Sequence, residues 1–290
     1  MSAGAGLPEE SGTGVGDAVF TDVLCAIDGI DGAHESLAAV SQASALAGPG
    51  GNLTLLLVTS YRSDGERRSP AIGPMRAKSM LDRAVEVASS AGVSCTVEVD
   101  PASPPAEVIL NWSAGHGLLA IGAPATTWLG GMLAPGGVAL AAETSLGIPL
   151  LVARSTPAEH AEAGPILVAS DGLDGSDQLV EMAGRVARSL ARPAVLVHAV
   201  RAESGARSHR IEEQARGLER VMAGACEVRV EPGGPRTVII ESAAAVNASL
   251  VMMSSRRLTG LAAIGSVSRR VVHHGHCSVL LVPPEHLVKG

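Results

Sequence analysis

The sequence predicts two consecutive α/β units, each a five-stranded parallel sheet with helices on both faces. Three observations carry this. The phrase DGIDG at 28–32 returns as DGLDG at 171–175, 143 positions later (171 − 28). The frame Cys-x-Val-x-Val-acid-Pro stands at 95–101 and again at 226–232. Short runs that are apolar at every residue alternate with helix-like stretches, the pattern of strands buried on both faces. A repeat of this kind fixes architecture before any chemistry is discussed.

In the first half the strand runs are VLCAI (23–27), LTLLLV (53–58), CTVEVDP (95–101), GLLAIGA (117–123) and IPLLVA (148–153). Helices are expected over AHESLAAVSQASALA after the first run and PPAEVILNWSA after the third. The stretch YRSDGERRSPAIGP after the second run reads as a long loop. The second half repeats the order with PILVAS (165–170), AVLVHAV (194–200), CEVRVEP (226–232), SLVMMSS (249–255) and CSVLLV (277–282). Its first helix, SDQLVEMAGRVARSLA, places Leu179, Met182, Val186 and Leu190 at three- and four-residue spacing, the stripe of an amphipathic helix. Its third run leads into PRTVIIESAAA. The offset is 131 for the third runs (226 − 95), 132 for the fourth (249 − 117) and 129 for the fifth (277 − 148). The expected organisation is a disordered tail over 1–18, one domain over 19–154, a linker over 155–163, a second domain over 164–284 and a tail over 285–290.

Composition excludes several classes. The chain carries one Phe (Phe20), one Tyr (Tyr61) and two Trp (Trp112, Trp128), too few to stack bases of a single strand. The net charge of -7 also argues against a nucleic-acid partner. That charge is uneven: residues 1–154 hold 7 basic and 15 acidic side chains (-8), and residues 155–290 hold 15 and 14 (+1). An anion is therefore expected to prefer the second half. The opening MSAGAGLPEESGTGVGD has no basic stretch or apolar core of a signal peptide, and no run reaches the length of a membrane span. Cys25, Cys95, Cys226 and Cys277 form no CxxC and read as buried, reduced thiols. A cytoplasmic protein is expected.

Ligands of open parallel sheets collect beyond the carboxyl ends of strands, where the strand order reverses. The first strand ends at Asp28 and Asp171, the fourth at Gly122 and Ser254. After the fourth strand of the second half comes SSRRLTGLAAIGSVSRRVVHHG, in which Gly265 and Ser266 open a helix. Backbone N–H groups and a hydroxyl at a positive helix end make a phosphate cradle, and Arg256 and Arg257 beside it can add charge-assisted bonds. Ser266 as a plain N-cap and Asp171 as a plain turn residue stand equally open on these grounds. The first half offers GAPATTWLGGMLAPGGVALAAE, where Gly136 and Gly137 replace the Gly-Ser pair and Pro135 removes an N–H.

The strand-end aspartates of AIDGIDG and ASDGLDG, the stretch SLVMMSSRRLTGLAAIGSVSRRVV, and the closing runs IPLLVAR and CSVLLVP together resemble tandem universal stress protein domains, from about Phe20 to Pro283. The resemblance implies two Rossmann-like domains with strand order 3-2-1-4-5, pairing through their fifth strands, and a further pairing of two chains. It implies ATP, with Mg2+, bound by a Gly-x2-Gly-x9-Gly-Ser/Thr loop after strand four. Carried over, the second half supplies Gly265, Ser266 and Ser268, with Ser254 and Arg257 where the opening glycines stand. The first half supplies Gly122, Gly136 and Gly137, with Ala125 at the second glycine. Adenine-contacting backbone would fall at Thr59 and Ala199, with Asp28 and Asp171 near the ribose. The functions expected are a stress-response regulator that binds an adenine nucleotide in its second domain, or a nucleotide-free scaffold acting on a protein partner. Neither is an enzyme beyond a weak ATPase, and no metal site is expected. HHGH (273–276) spells a nucleotidyl-transferase motif, but it closes the last helix instead of following the first strand, and Gly275 there is the expected helix stop.

Overall fold

The computed structural model describes residues 18–27, 33–59, 61–64, 67–70, 72–101, 105–123, 147–155, 164–200, 205–255 and 267–283. In the first half the sheet strands are β1 (Asp22–Ile27), β2 (Asn52–Val58), β5 (Ser94–Asp100), β6 (Leu118–Gly122) and β7 (Leu150–Ala153). The helices between them are α1 (Ala33–Ala47), α2 (Pro74–Ser90) and α3 (Pro105–Ser113). In the second half, strands β8 (Ile166–Ala169), β9 (Ala194–Val200), β10 (Cys226–Pro232), β11 (Leu250–Ser254) and β12 (Ser278–Val282) alternate with α4 (Asp177–Ser189), α5 (Gly205–Met222), α6 (Pro235–Ala245) and α7 (Val267–His274).

The stretch read as a loop after β2 instead contains a two-stranded antiparallel ribbon, β3 (Tyr61–Asp64) and β4 (Arg67–Pro70). The segments YRSD and RRSP lack the apolar alternation that marks a strand, so the ribbon carries no sequence signal of the usual kind.

The two halves share one sheet. Its order is β10-β9-β8-β11-β12-β7-β6-β1-β2-β5, so each half runs third, second, first, fourth, fifth. All neighbours within a half are parallel. The fifth strands meet antiparallel, with Val279 opposite Val152 and Leu281 opposite Leu150. Each fifth strand thereby loses the bare apolar edge it would present alone, the standard hazard of an unpaired strand.

Alternation along the strands sends one set of side chains to each face. Val23, Cys25, Leu55, Ala120, Leu151, Val168, Leu196 and Leu280 belong to one core, with residues of α1, α2, α4 and α5 over them. Leu24, Ala26, Leu119, Val152, Leu167, Val195, Val251 and Leu281 belong to the other, under α3, α6 and α7. Both cores cross the seam between halves, so apolar burial on each face binds the two units together.

The helix ends follow simple rules. Pro74 and Pro235 open α2 and α6, each behind a glycine, in the position where a missing N–H costs nothing. Three residues of the expected stripe, Leu179, Met182 and Val186, are buried on α4, while the fourth, Leu190, caps the helix and is half-buried. Beyond it Ala191 takes φ 50°, the left-handed turn that ends the segment. Gly184 faces α5 so closely that an added Cβ would lie 2.7 Å from the Cβ of Val221.

The outer strands β5 and β10 are less covered than the others. Val97, Val99, Val228 and Val230 are exposed, interleaved with Glu98 and Asp100 on one edge and Arg229 and Glu231 on the other. Charges set between edge valines are the usual protection against further strand addition.

Candidate functional site

In the second half β8 lies between β9 and β11. The helix after β8, α4, packs on one face of the sheet, and α7, after β11, packs on the other. The carboxyl ends of β8 and β11 are therefore this half's reversal point, where open parallel sheets hold their ligands. Asp171 follows β8, Ala199 lies near the end of β9, and Ser254 ends β11; all three are half-buried. Ser268, in the first turn of α7, is buried. Arg256, Arg257, Gly265 and Ser266 lie outside the described residues.

The Asp171 loop is tightly braced. Asp171 Oδ1 accepts from the Leu173 amide at 3.0 Å and from the Ser176 hydroxyl at 2.8 Å, so the carboxylate shapes its own turn. Gly172 takes φ 71°, which glycine adopts freely. Its amide donates to the Ser170 hydroxyl at 3.0 Å, and that hydroxyl donates to Gln214 Oε1 at 2.6 Å. Gln214 Nε2 donates in turn to the Leu173 carbonyl and to Asp177 Oδ1. One amide side chain from α5 thus bonds three points of the loop. Arg210, one turn earlier, bridges Asp174, Asp177 and Glu213. Glu213 is held below the usual carboxylate range, chiefly by its bond to Arg210. Beneath the loop His198 is buried, with Nδ1 2.9 Å from the Ser170 carbonyl; its Nε2 is buried and has no partner among the described residues. None of these supports was named from sequence; a polar side chain on an exposed-looking helix gives no sign of the loop it will meet.

In the first half Asp28, Ala125, Gly136 and Gly137 lie outside the described residues. Thr59 follows β2, its amide bonded to the Asp100 carbonyl at 2.9 Å. Gly122 ends β6, and a Cβ there would lie 2.5 Å from the Glu35 carbonyl. Its lack of a side chain lets α1 lie against the sheet. Trp112 Nε1 donates to Asp100 Oδ2 at 2.9 Å, tying α3 to the end of β5.

The HHGH stretch lies at the other end of the sheet, where α7 finishes and β12 begins. His274 and His276 are exposed, and His273 is half-buried with Nδ1 unpartnered among the described residues. Burial, then the charges of Arg269, His274 and Arg154, pull His273 below its ordinary pKa. The helix does stop at Gly275, though not through a left-handed turn. The Gly275 amide bonds the Val271 carbonyl at 2.7 Å, and a Cβ would meet that same oxygen. Among the described residues no cluster of three His, Cys, Asp or Glu has the arrangement of a metal site. All four cysteines are free. Cys25 and Cys277 are buried as expected, whereas Cys95 and Cys226 are half-buried because they start the outer strands. Burial pushes the thiols up, to about 12 for Cys25 and about 11 for Cys226 and Cys277.

The duplicated parallel arrangement with its strand-order reversal in each half defines a tandem Rossmann-like α/β protein. Residues 163–283 match the model of the universal stress protein family. A 60-residue stretch is 47% identical to a universal stress protein of Synechocystis sp. strain PCC 6803, covering 20% of this chain and 39% of that protein, well under two thirds of its length. The crystal structure of a universal stress protein from Archaeoglobus fulgidus DSM 4304 aligns over 91% of this chain and 97% of its own, with TM-score 0.67 and 16% identity. A putative universal stress protein from Pseudomonas aeruginosa UCBPP-PA14 aligns over 92% and 95%, with TM-score 0.64 and 20% identity. Those two likenesses establish the fold across both halves. No helix among the described residues is long and apolar enough to cross a membrane.

Proposed function

We propose that this protein is a stress-response regulator whose second half binds an adenine nucleotide, ATP in the first instance, without catalysing a reaction of its own. The observation that carries the reading is the convergence of the Asp171 loop, the ends of β9 and β11, and the first turn of α7 at one reversal point of the sheet. In this reading Asp171 lies near the ribose and backbone near Ala199 near the base, while Gly265, Ser266 and Ser268 receive the phosphates. Backbone amides and the positive helix end supply the attraction, and Arg257 adds charge. The excess of basic residues in this half supports the choice of site. The first half, without a hydroxyl at Gly137, is a much weaker host. The protein acts in the cytoplasm, by this proposal, as a pair of chains.

Isothermal titration of the full chain with ATP and Mg2+ tests this. Saturable heat that is lost in Ser266→Ala is expected; absence of heat in the wild type refutes it. A second reading, a nucleotide-free scaffold that works by protein contact, is favoured by one observation: Asp171 Oδ1 is already committed to two bonds within its own loop. That reading predicts no heat with ATP and no effect of Ser266→Ala. Nucleotidyl transfer by HHGH is disfavoured, since the motif sits at the opposite end of the strands from the reversal point. It predicts transfer that collapses in His273→Ala.

A further inference from the structure

Arg154, directly after β7, is only 1% exposed, which is unusual for an arginine. Its surroundings come from both halves. Its backbone N–H donates to the Ser278 hydroxyl of β12 at 2.9 Å, and its guanidinium Nη2 donates to the Val272 carbonyl in the last turn of α7. From the first half, Gln42 of α1 donates its amide to the Arg154 carbonyl at 3.3 Å. Burial lowers the guanidinium pKa, but an arginine keeps its charge at any physiological pH. A fixed cation therefore stands at the carbonyl end of α7, where the helix dipole is negative.

The position matters because the two ends of α7 face different neighbours. Its first turn borders the second half's reversal point, and its last turn is held by a residue of the first half. Arg154 itself follows the carboxyl end of β7, beside the end of β6, where the Ala123 amide bonds the Ala153 carbonyl at 2.8 Å. The first half's own strand-end rim and the second half's helix are thus joined through one side chain. The matching place in the second half, 129 positions on (154 + 129 = 283), is Pro283. Proline has neither a side-chain donor nor an N–H, so this device is not returned in the other direction.

We propose that Arg154 is a positioning residue that couples the halves: it holds α7 from across the seam and so sets the geometry of the second half's reversal point. Its consequence for ligand rests on the nucleotide reading above; its consequence for α7 does not. A change at the first half's rim that moves the end of β7 is transmitted to α7 by this clamp.

Hydrogen exchange on the full chain tests the clamp without any ligand. In Arg154→Met, amides of 267–277 are expected to exchange at least tenfold faster, with those of α4 and α5 unchanged. Arg154→Lys, which keeps the charge but loses the planar fork, is expected to recover part of the protection. Unchanged exchange in α7 overturns the proposal, as does uniform loosening of α4 and α5 together with α7, which marks a merely structural role. Should Arg154→Met fail to fold, Arg154→Lys and Gln42→Ala decide the matter: at least twofold faster exchange confined to 267–277 supports the clamp, and wild-type rates in both overturn it. ATP titration is the second arm. Where the wild type binds, Arg154→Met is expected to weaken binding at least tenfold, and equal affinity overturns the coupling to ligand. No heat in the wild type sinks the nucleotide reading alone, and the exchange result still decides the clamp.

Discussion

Gly122→Ala is the sharpest test of how α1 is seated on the sheet. An ideal Cβ at this position lies 2.5 Å from the carbonyl carbon and oxygen of Glu35 and 2.8 Å from the Ser36 amide nitrogen. These are backbone atoms and cannot rotate away. Real Cβ contacts do not fall below 3.0 Å, so α1 must retreat by at least 0.5 Å (3.0 − 2.5). A gap of that size forfeits about a quarter of the attractive well at each contact. The helix carries Ala39, Val40, Ala43, Leu46 and Ala47 into the core, and all of them feel the shift. Overpacking of this kind costs about 1–3 kcal/mol. At about 2 kcal/mol, Tm falls by about 4–8 °C in a chain of this size. Gly217, on the half-exposed side of α5, is the control: no atom lies within 4 Å of a Cβ there. Gly217→Ala is expected to stabilise by up to about 1 kcal/mol through helix propensity. Calorimetric melting of the three proteins reads both signs at once. If Gly122→Ala melts at the wild-type temperature, the close approach of α1 is not what keeps this position a glycine. Loss of a first-half ligand with an unchanged Tm would then return Gly122 to the role of admitting phosphate.

Two further outcomes follow from titration and burial. His273 binds its proton less readily in the folded chain than its ordinary value of 6.5 allows. Its contribution to stability is therefore complete above about pH 6.5 and lost as pH falls through the lower folded-state pKa. Melting temperatures taken between pH 7.5 and 5 are expected to fall more steeply for the wild type than for His273→Gln, and parallel curves would refute this. Alkylation at pH 8 is expected to leave Cys25 and Cys277 untouched in the native protein and to modify Cys95 and Cys226 slowly, since burial raises all four thiols. Mass spectrometry of the labelled chain checks it, and rapid labelling of Cys277 would contradict the closed seam.

What the sequence made legible was whatever repeats or is periodic. The runs VLCAI and PILVAS each appear as the central strand of a half, because a strand buried on both faces must be apolar throughout. The stripe at Leu179, Met182 and Val186 similarly announced α4. Contacts between elements distant in sequence left no such trace. Arg154 ends the apolar run IPLLVAR, which says nothing of its burial; it is buried because residues 118 and 124 positions later close over it. Gln214 lies in the strongly polar stretch GARSHRIEEQARGLERVM and becomes a brace only once α5 meets the Asp171 loop. The resemblance gives Gly122 as a phosphate-loop glycine, and its close approach to α1 left no trace in the sequence. Of the candidate site itself, Asp171 and Ser254 were legible as strand ends, since a parallel sheet gathers those ends along one edge, and Ala199 entered only through the family resemblance.

The antiparallel meeting of β7 and β12 gives the molecule two poles. Within the shared sheet, the first-half strands point toward one of them and the second-half strands toward the other. The carboxyl ends of the two sets of strands therefore open on opposite edges of the sheet. A large partner docking on one pole would read the state of one half only, unless news of the far side arrives through the middle of the sheet.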